Sequence, residues 1–269
     1  MYRIIACDLD ETLLTREKTV SLKDRESIAK AKEKGVKFVL ATGRGYTTVQ
    51  KTLEEIGLKD LEDEFVISFN GAALTENHNN RLLYFNGITF EKAKAWFEAG
   101  LKYDVGIHVY TEEVVWGWNI TSEEYDYVSG KMEIIPLPEP NIDFLKDEKL
   151  AKVLYVNTDF GYLKQIQEEI SELLDETAVS FSSGRYMEFN VLGADKGKGL
   201  IELAKILNVD IKDTIAVGDN YNDLPMIQAA GLGIGVANTN ESMKHLCDHI
   251  TKATNNENAI SEIIEEFIL

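Results

Sequence analysis

Four short apolar runs in this chain break off onto polar residues where a strand would end. The run at 3–7 ends on Asp8-Leu9-Asp10-Glu11-Thr12, and the run at 36–41 on Thr42-Gly43-Arg44. The run at 65–69 ends on Asn70-Gly71, and the run at 213–217 on Gly218-Asp219-Asn220-Tyr221-Asn222-Asp223. Amphipathic stretches at 22–34, 46–56, 197–207, 221–230 and 257–268 read as helices between these runs and after them. Short strands at 232–236 and 248–251 complete the pattern. Strands alternating with helices imply parallel pairing through crossover connections. In open parallel sheets, ligands bind beyond the carboxyl ends of the strands. The four polar clusters are therefore expected to converge on one pocket.

The alternation is interrupted from about 72 to about 185. A hairpin is expected at 72–85, around His78-Asn79-Asn80. Helices are expected at 89–102 and 160–174, and strands at 105–110, 113–118, 151–157 and 177–182. Pro136, Pro138 and Pro140, three of the four prolines, fall between these elements. The organisation predicted is a doubly wound, Rossmann-like α/β core over 1–83 and 186–269, interrupted by an inserted α+β domain over 84–185.

Asp8 and Asp10 stand two apart, so in extended backbone they face the same side. With Asp219 and Asp223, three or four carboxylates would share one mouth. They cannot all stay ionised there without a cation. A hard ion such as Mg²⁺ suits an all-oxygen set, and no His or Cys cluster offers softer ligands. For one Asp-x-Asp alone, a turn and a cap explain the residues as well. Other motifs fail on spacing. An EF-hand loop would need Gly where Leu13 stands. A Walker A loop would need Gly where Leu192 stands, and the dinucleotide fingerprint would need Gly where Thr48 stands.

Charge excludes further classes. The 269 residues carry 46 acidic and 28 basic side chains, a formal net charge of −18. Nucleic-acid binding relies on basic patches, and docking on anionic membranes on basic segments, so neither partner is expected. No stretch approaches the roughly 20 apolar residues of a membrane span. Two cysteines, Cys7 and Cys247, suit a reducing compartment, and Asp8 comes too early for the apolar core of a secretion signal. A cytoplasmic location is expected.

These residues together resemble the haloacid dehalogenase superfamily, specifically its Cof-type phosphatases with a large α/β cap after the third core strand. Asp-Leu-Asp-Glu-Thr at 8–12 is similar to the first motif, Thr42 in Ala-Thr-Gly-Arg to the second, Lys196 to the third and 218–223 to the acidic fourth. Asn-Gly-Ala at 70–72 is typical of the subgroup. The resemblance spans the whole chain. It implies Asp8 as nucleophile, Asp10 as general acid and base, Thr42 and Lys196 on the phosphoryl group, and Mg²⁺ held by Asp8, Asp219 and the backbone carbonyl of Asp10. Asn222 and Asp223 would hold the ion's waters or orient Lys196.

Weaker expectations attach to Gly43, Asn70 and Gly71 as phosphate contacts. Arg44 reads equally as a substrate contact or a surface ion pair. Arg185, Trp96, Trp116 and Trp118 read chiefly as structural. The implied substrate is a small phosphorylated metabolite, with sugar phosphates favoured. A phosphohexomutase-like transferase and a non-catalytic phospho-ligand binder are the alternatives. Residues 84–185 hold 19 acidic and 9 basic side chains, so the acidity is densest on the expected insert. Such a field does not steer phosphates from a distance. An anionic substrate would depend on short-range contacts.

Overall fold

The computed structural model describes residues 1–129 and 132–269. In chain order, β1 (Ile4–Cys7) leads to α1 (Leu22–Glu33), β2 (Lys37–Ala41), α2 (Gln50–Glu55), β3 (Phe65–Ser68), β4 (Ala73–Glu76) and β5 (Arg81–Phe85). There follow α3 (Phe90–Gly100), β6 (Gly106–Thr111), β7 (Val115–Trp118), α4 (Ser122–Val128), β8 (Ile134–Pro136), β9 (Leu150–Val156), α5 (Phe160–Glu169), β10 (Thr177–Ser182) and β11 (Tyr186–Val191). The chain closes with α6 (Lys196–Ile206), β12 (Thr214–Gly218), α7 (Leu224–Ala229), β13 (Leu232–Gly235), β14 (His249–Ile250) and α8 (Ala259–Phe267). Two compact units result: Met1–Phe85 with Asp195–Leu269, and Asn86–Ala194.

The first unit holds an eight-stranded sheet in the order β14-β13-β12-β1-β2-β3-β4-β5. Pairing is parallel from β14 to β3, and β4 and β5 add an antiparallel edge. All four residues of β1 are buried, as a strand covered on both faces requires. Strand order runs outward from β1 in both directions, through β2 and β3 on one side and β12 to β14 on the other. The crevice between β1 and β12 is therefore the switch point of the sheet, where ligands bind in such folds.

The second unit holds a six-stranded sheet, β10-β11-β9-β6-β7-β8, antiparallel except where β7 meets β8. Ile107, Val109, Val153, Tyr155, Met187 and Phe189 share one core cluster with Trp96 and Phe97 of α3 and Leu163 and Ile166 of α5. Trp96 is wholly buried and stacks on Phe189, with ring centroids 5.3 Å apart. Trp116 and Trp118 pack against the same cluster. The polar side chains of this sheet include a buried Lys152–Glu188 ion pair. Arg185 is held by Glu123 and Glu124, in keeping with a structural part.

The insert's predicted end needs correction. The sequence pattern places residues from 186 onward in the core, yet Tyr186–Val191 is a strand of the second sheet, between β9 and β10, and the second unit runs over Asn86–Ala194. Its alternation of Met187 and Phe189 with Glu188 and Asn190 is the period-2 signal of a half-polar strand. The helix expected at 221–230 is only Leu224–Ala229, because a turn occupies the residues before it. Among the described residues, no helix is long and apolar enough to cross a membrane.

Candidate active site

Parallel pairing brings the ends of β12, β1, β2 and β3 to one edge of the first sheet. Asp8 continues β1, and its N–H donates to the carbonyl of Val217 at 3.0 Å. Asp219 follows β12 directly, with Asp223 across the next turn. Gly218 permits that turn, since a Cβ there would overlap the Asp223 side chain. The Asp223 carboxylate folds back and accepts from the N–H groups of Asp219 and Asn220 at 3.0 and 3.1 Å.

Lys196 is the first residue of α6. The N-cap Asp195 accepts from the N–H of Lys198, which fixes where the helix starts. The loop after β3 seats that start. Phe69, Asn70 and Gly71 all have positive φ, and a Cβ on Gly71 would overlap the carbonyl oxygen of Asp195. Only glycine tolerates so close an approach at φ +88°. Lys196 is wholly buried, and its Nζ donates to Asp8 and, at 2.6 Å, to Asp223.

The site is electrostatically unbalanced. Asp8, Asp219 and Asp223 each place a carboxylate oxygen within 4.8 Å of the others, against the single charge of Lys196. Burial, then the neighbouring Asp223, pushes the Asp8 carboxyl well above the carboxylate range, although Lys196 pulls the other way. Burial and Asp223 push Asp219 up to about 6, with the Thr12 hydroxyl in partial opposition. Burial also disfavours a charged Lys196, but Asp223 and Asp8 outweigh it and hold the ammonium above the usual lysine range. Lys196 therefore stays a cation. The surplus negative charge and all-oxygen donor set fit a hard divalent ion. Such an ion would be held by the carboxylates of Asp8 and Asp219, since both Asp223 oxygens are taken by Lys196 and by the N–H groups of Asp219 and Asn220.

A second group of contacts gathers along the same edge. Thr42 is buried, and its Oγ1 accepts from the N–H of Arg44 at 3.1 Å. The N–H of Asn70 donates to the carbonyl of Thr42 at 2.9 Å. The Asn70 side chain lies against Gly43, and its Oδ1 is buried with no hydrogen-bond partner. Arg44 pairs with Asp10, at 2.6 Å from Nη2 to Oδ1. Asn222 is exposed.

Two residues that sequence reasoning did not single out also contribute. Thr12 donates its hydroxyl to Asp219 at 3.1 Å, and its place in the first acidic motif could have signalled this. Lys18 reaches Asp10 at 3.3 Å, and nothing in its sequence context marks it.

Comparison with known proteins agrees with this class of site. Residues 5–264 match the haloacid dehalogenase-like hydrolase family. The chain is 28% identical over 270 residues to the putative phosphatase YxeH of Bacillus subtilis, covering 100% of this chain and 99% of that protein. It is 28% identical to the 5-amino-6-(5-phospho-D-ribitylamino)uracil phosphatase YwtE of the same organism, covering 99% and 98%. A crystal structure of a haloacid dehalogenase-like hydrolase from Bacteroides thetaiotaomicron superposes with a TM-score of 0.88 at 29% identity, covering both chains completely. The chain belongs to the haloacid dehalogenase-like hydrolases and is a phosphatase of their Cof type.

Proposed function

We propose that this protein hydrolyses phosphomonoesters of small polyol or sugar metabolites through an aspartyl-phosphate on Asp8. The observation that carries this reading is the buried Lys196, hydrogen-bonded to both Asp8 and Asp223. A lysine so placed holds a carboxylate nucleophile in position and offsets charge where a phosphoryl group would add more. In the first transfer, the Asp8 oxygen bonds to phosphorus as the ester P–O bond breaks. The leaving oxygen takes that electron pair and a proton from Asp10, which enters this step as the neutral acid and leaves it as the carboxylate that Arg44 and Lys18 hold. In the second, Asp10 accepts a proton from water as the water oxygen bonds to phosphorus and Asp8 departs.

Thr42 would donate to a phosphoryl oxygen. Its Oγ1 already accepts from Arg44, which leaves its own proton available. Gly43, Asn70 and Gly71 would add contacts to the phosphate. Asp223 keeps Lys196 oriented, and the exposed Asn222 would act on solvent around the site. A bound Mg²⁺ would neutralise phosphoryl oxygens during transfer. The second unit would be the substrate-specificity domain. The ribityl phosphate named for one relative supports a phosphorylated polyol or sugar as substrate.

The test is phosphate release from a panel of phosphorylated sugars, sugar alcohols and nucleotides, ranked by kcat/KM in Mg²⁺. Sugar and polyol phosphates should lead. A nucleotide at the head of the ranking would overturn the substrate class. Isomerised product without phosphate release would point to a mutase.

Cation binding should depend on pH. Burial and Asp223 raise Asp8 and Asp219 above the carboxylate range, so as pH falls each takes up a proton that an ion must displace. Mg²⁺ affinity should therefore fall as pH drops through about 6, with proton release already visible above that. Calorimetric titrations at pH 5.5, 7 and 8, in buffers of different ionisation heat, measure both. Equal affinity at all three would mean that the carboxylates are already ionised.

A further inference from the structure

The carboxylate of Asp10 is gripped by two cations. Arg44 donates from Nε to Oδ2 at 3.1 Å and from Nη2 to both oxygens at 2.6 Å. Lys18 Nζ approaches Oδ1 at 3.3 Å. A guanidinium fork fixes both the plane and the direction of a carboxylate, whereas an ammonium fixes neither. The backbone of Arg44 is itself tied down. Its N–H donates to the Thr42 hydroxyl, and its carbonyl accepts from the N–H of Phe69 at 3.0 Å. The fork therefore projects from a segment anchored both to the end of β2 and to the loop after β3. Asp10 lies only two residues from Asp8, yet it is absent from the group formed by Asp8, Asp219 and Asp223.

We propose that Arg44 is a positioning residue: it aims the Asp10 carboxylate for proton transfer and keeps it out of the three-carboxylate cluster. This rests on the reading of Asp10 as general acid and base. Nε and Nη2, one edge of the guanidinium, are both engaged by Asp10. In this proposal Arg44 acts on the reaction through Asp10.

The leaving group supplies the test. In the first transfer, an alkyl phosphate expels an alkoxide that needs the Asp10 proton, whereas p-nitrophenyl phosphate expels a stable phenolate that scarcely does. Single-turnover release of the leaving group is measured in Mg²⁺ for wild type, Arg44→Ala, Arg44→Lys and Asp10→Asn. The probes are p-nitrophenyl phosphate and the alkyl phosphate that wild type hydrolyses fastest in the panel above.

Arg44→Ala should slow the alkyl phosphate by about 10²-fold and the aryl phosphate by less than about 3-fold, with the half-saturating concentration nearly unchanged for both. Arg44→Lys restores charge without the fork, so it should stay at least about 10-fold slow on the alkyl phosphate. It also carries the comparison alone should Arg44→Ala not fold. Equal slowing of both substrates, or a raised half-saturating concentration at an unchanged single-turnover rate, would overturn the proposal. Asp10→Asn separates the two levels of the argument. If it slows both substrates equally, the general-acid reading itself fails. If it is selective for the alkyl phosphate and the Arg44 variants are not, only the positioning role fails.

Discussion

Asp8→Asn is expected to lower kcat for every phosphomonoester by at least about 10⁴-fold while leaving the fold intact. The amide has nearly the same shape, so its oxygen can still accept from Lys196, but it cannot form the acyl-phosphate bond. Asp8 is nine-tenths buried and its pKa is raised, first by burial and then by Asp223. A carboxyl with a raised native pKa favours folding below its unfolded pKa of about 3.9, and that contribution is lost as pH rises through the native value. Asparagine mimics the protonated form at every pH. The variant should therefore melt no lower than wild type at pH 5 and higher at pH 8, in metal-free buffer. Thermal scans at both pH values, beside steady-state assays, check the two halves separately. Wild-type turnover by this variant would end the aspartyl-phosphate reading.

Lys196→Met is expected to damage activity and stability together. The side chain has no exposed surface and is the cation between Asp8 and Asp223. Methionine fills comparable space but leaves two buried carboxylates facing one another. Removing one partner of a buried ion pair costs about 3–5 kcal/mol, because the remaining charge is uncompensated. That cost should shrink in acid, where protons replace the lysine. The native pKa of Lys196 is raised, so its own contribution stays complete across the neutral range and is lost only as pH rises beyond the ordinary lysine value of about 10.4. The pH dependence of the variant must then come from the carboxylates. Denaturant unfolding should show a larger gap from wild type at pH 8 than at pH 5. A constant gap would mean that Lys196 contributes by packing and not by charge.

The two variants act on features of differing legibility. Asp8 and Asp219 stand out in the sequence because each follows directly on a buried strand, and parallel pairing carries strand ends to one edge. Lys196 is less visible. It lies at a helix start, and nothing local says that the helix points its first residue into a carboxylate cluster. That depends on the loop at 69–71, where the missing Cβ of Gly71 lets the backbone close on Asp195. Asp223 is a similar case. Its spacing marks it as acidic and nearby, but its contact with Lys196 depends on the turn that Gly218 permits.

The sequence by itself determined the alternation of strands and helices, the acidic ends of β1 and β12, and the presence of an insert. Those properties follow from residue periodicity and turn chemistry, which act over a few residues. Tertiary structure alone decided that β11 completes the second sheet, that Lys196 bridges Asp8 and Asp223, and that Asp10 pairs with Arg44 and Lys18 outside the group of Asp8, Asp219 and Asp223. Each of these choices depends on which distant strand or side chain offers the better partner. That competition is settled by close packing and buried charge, neither of which a linear pattern records.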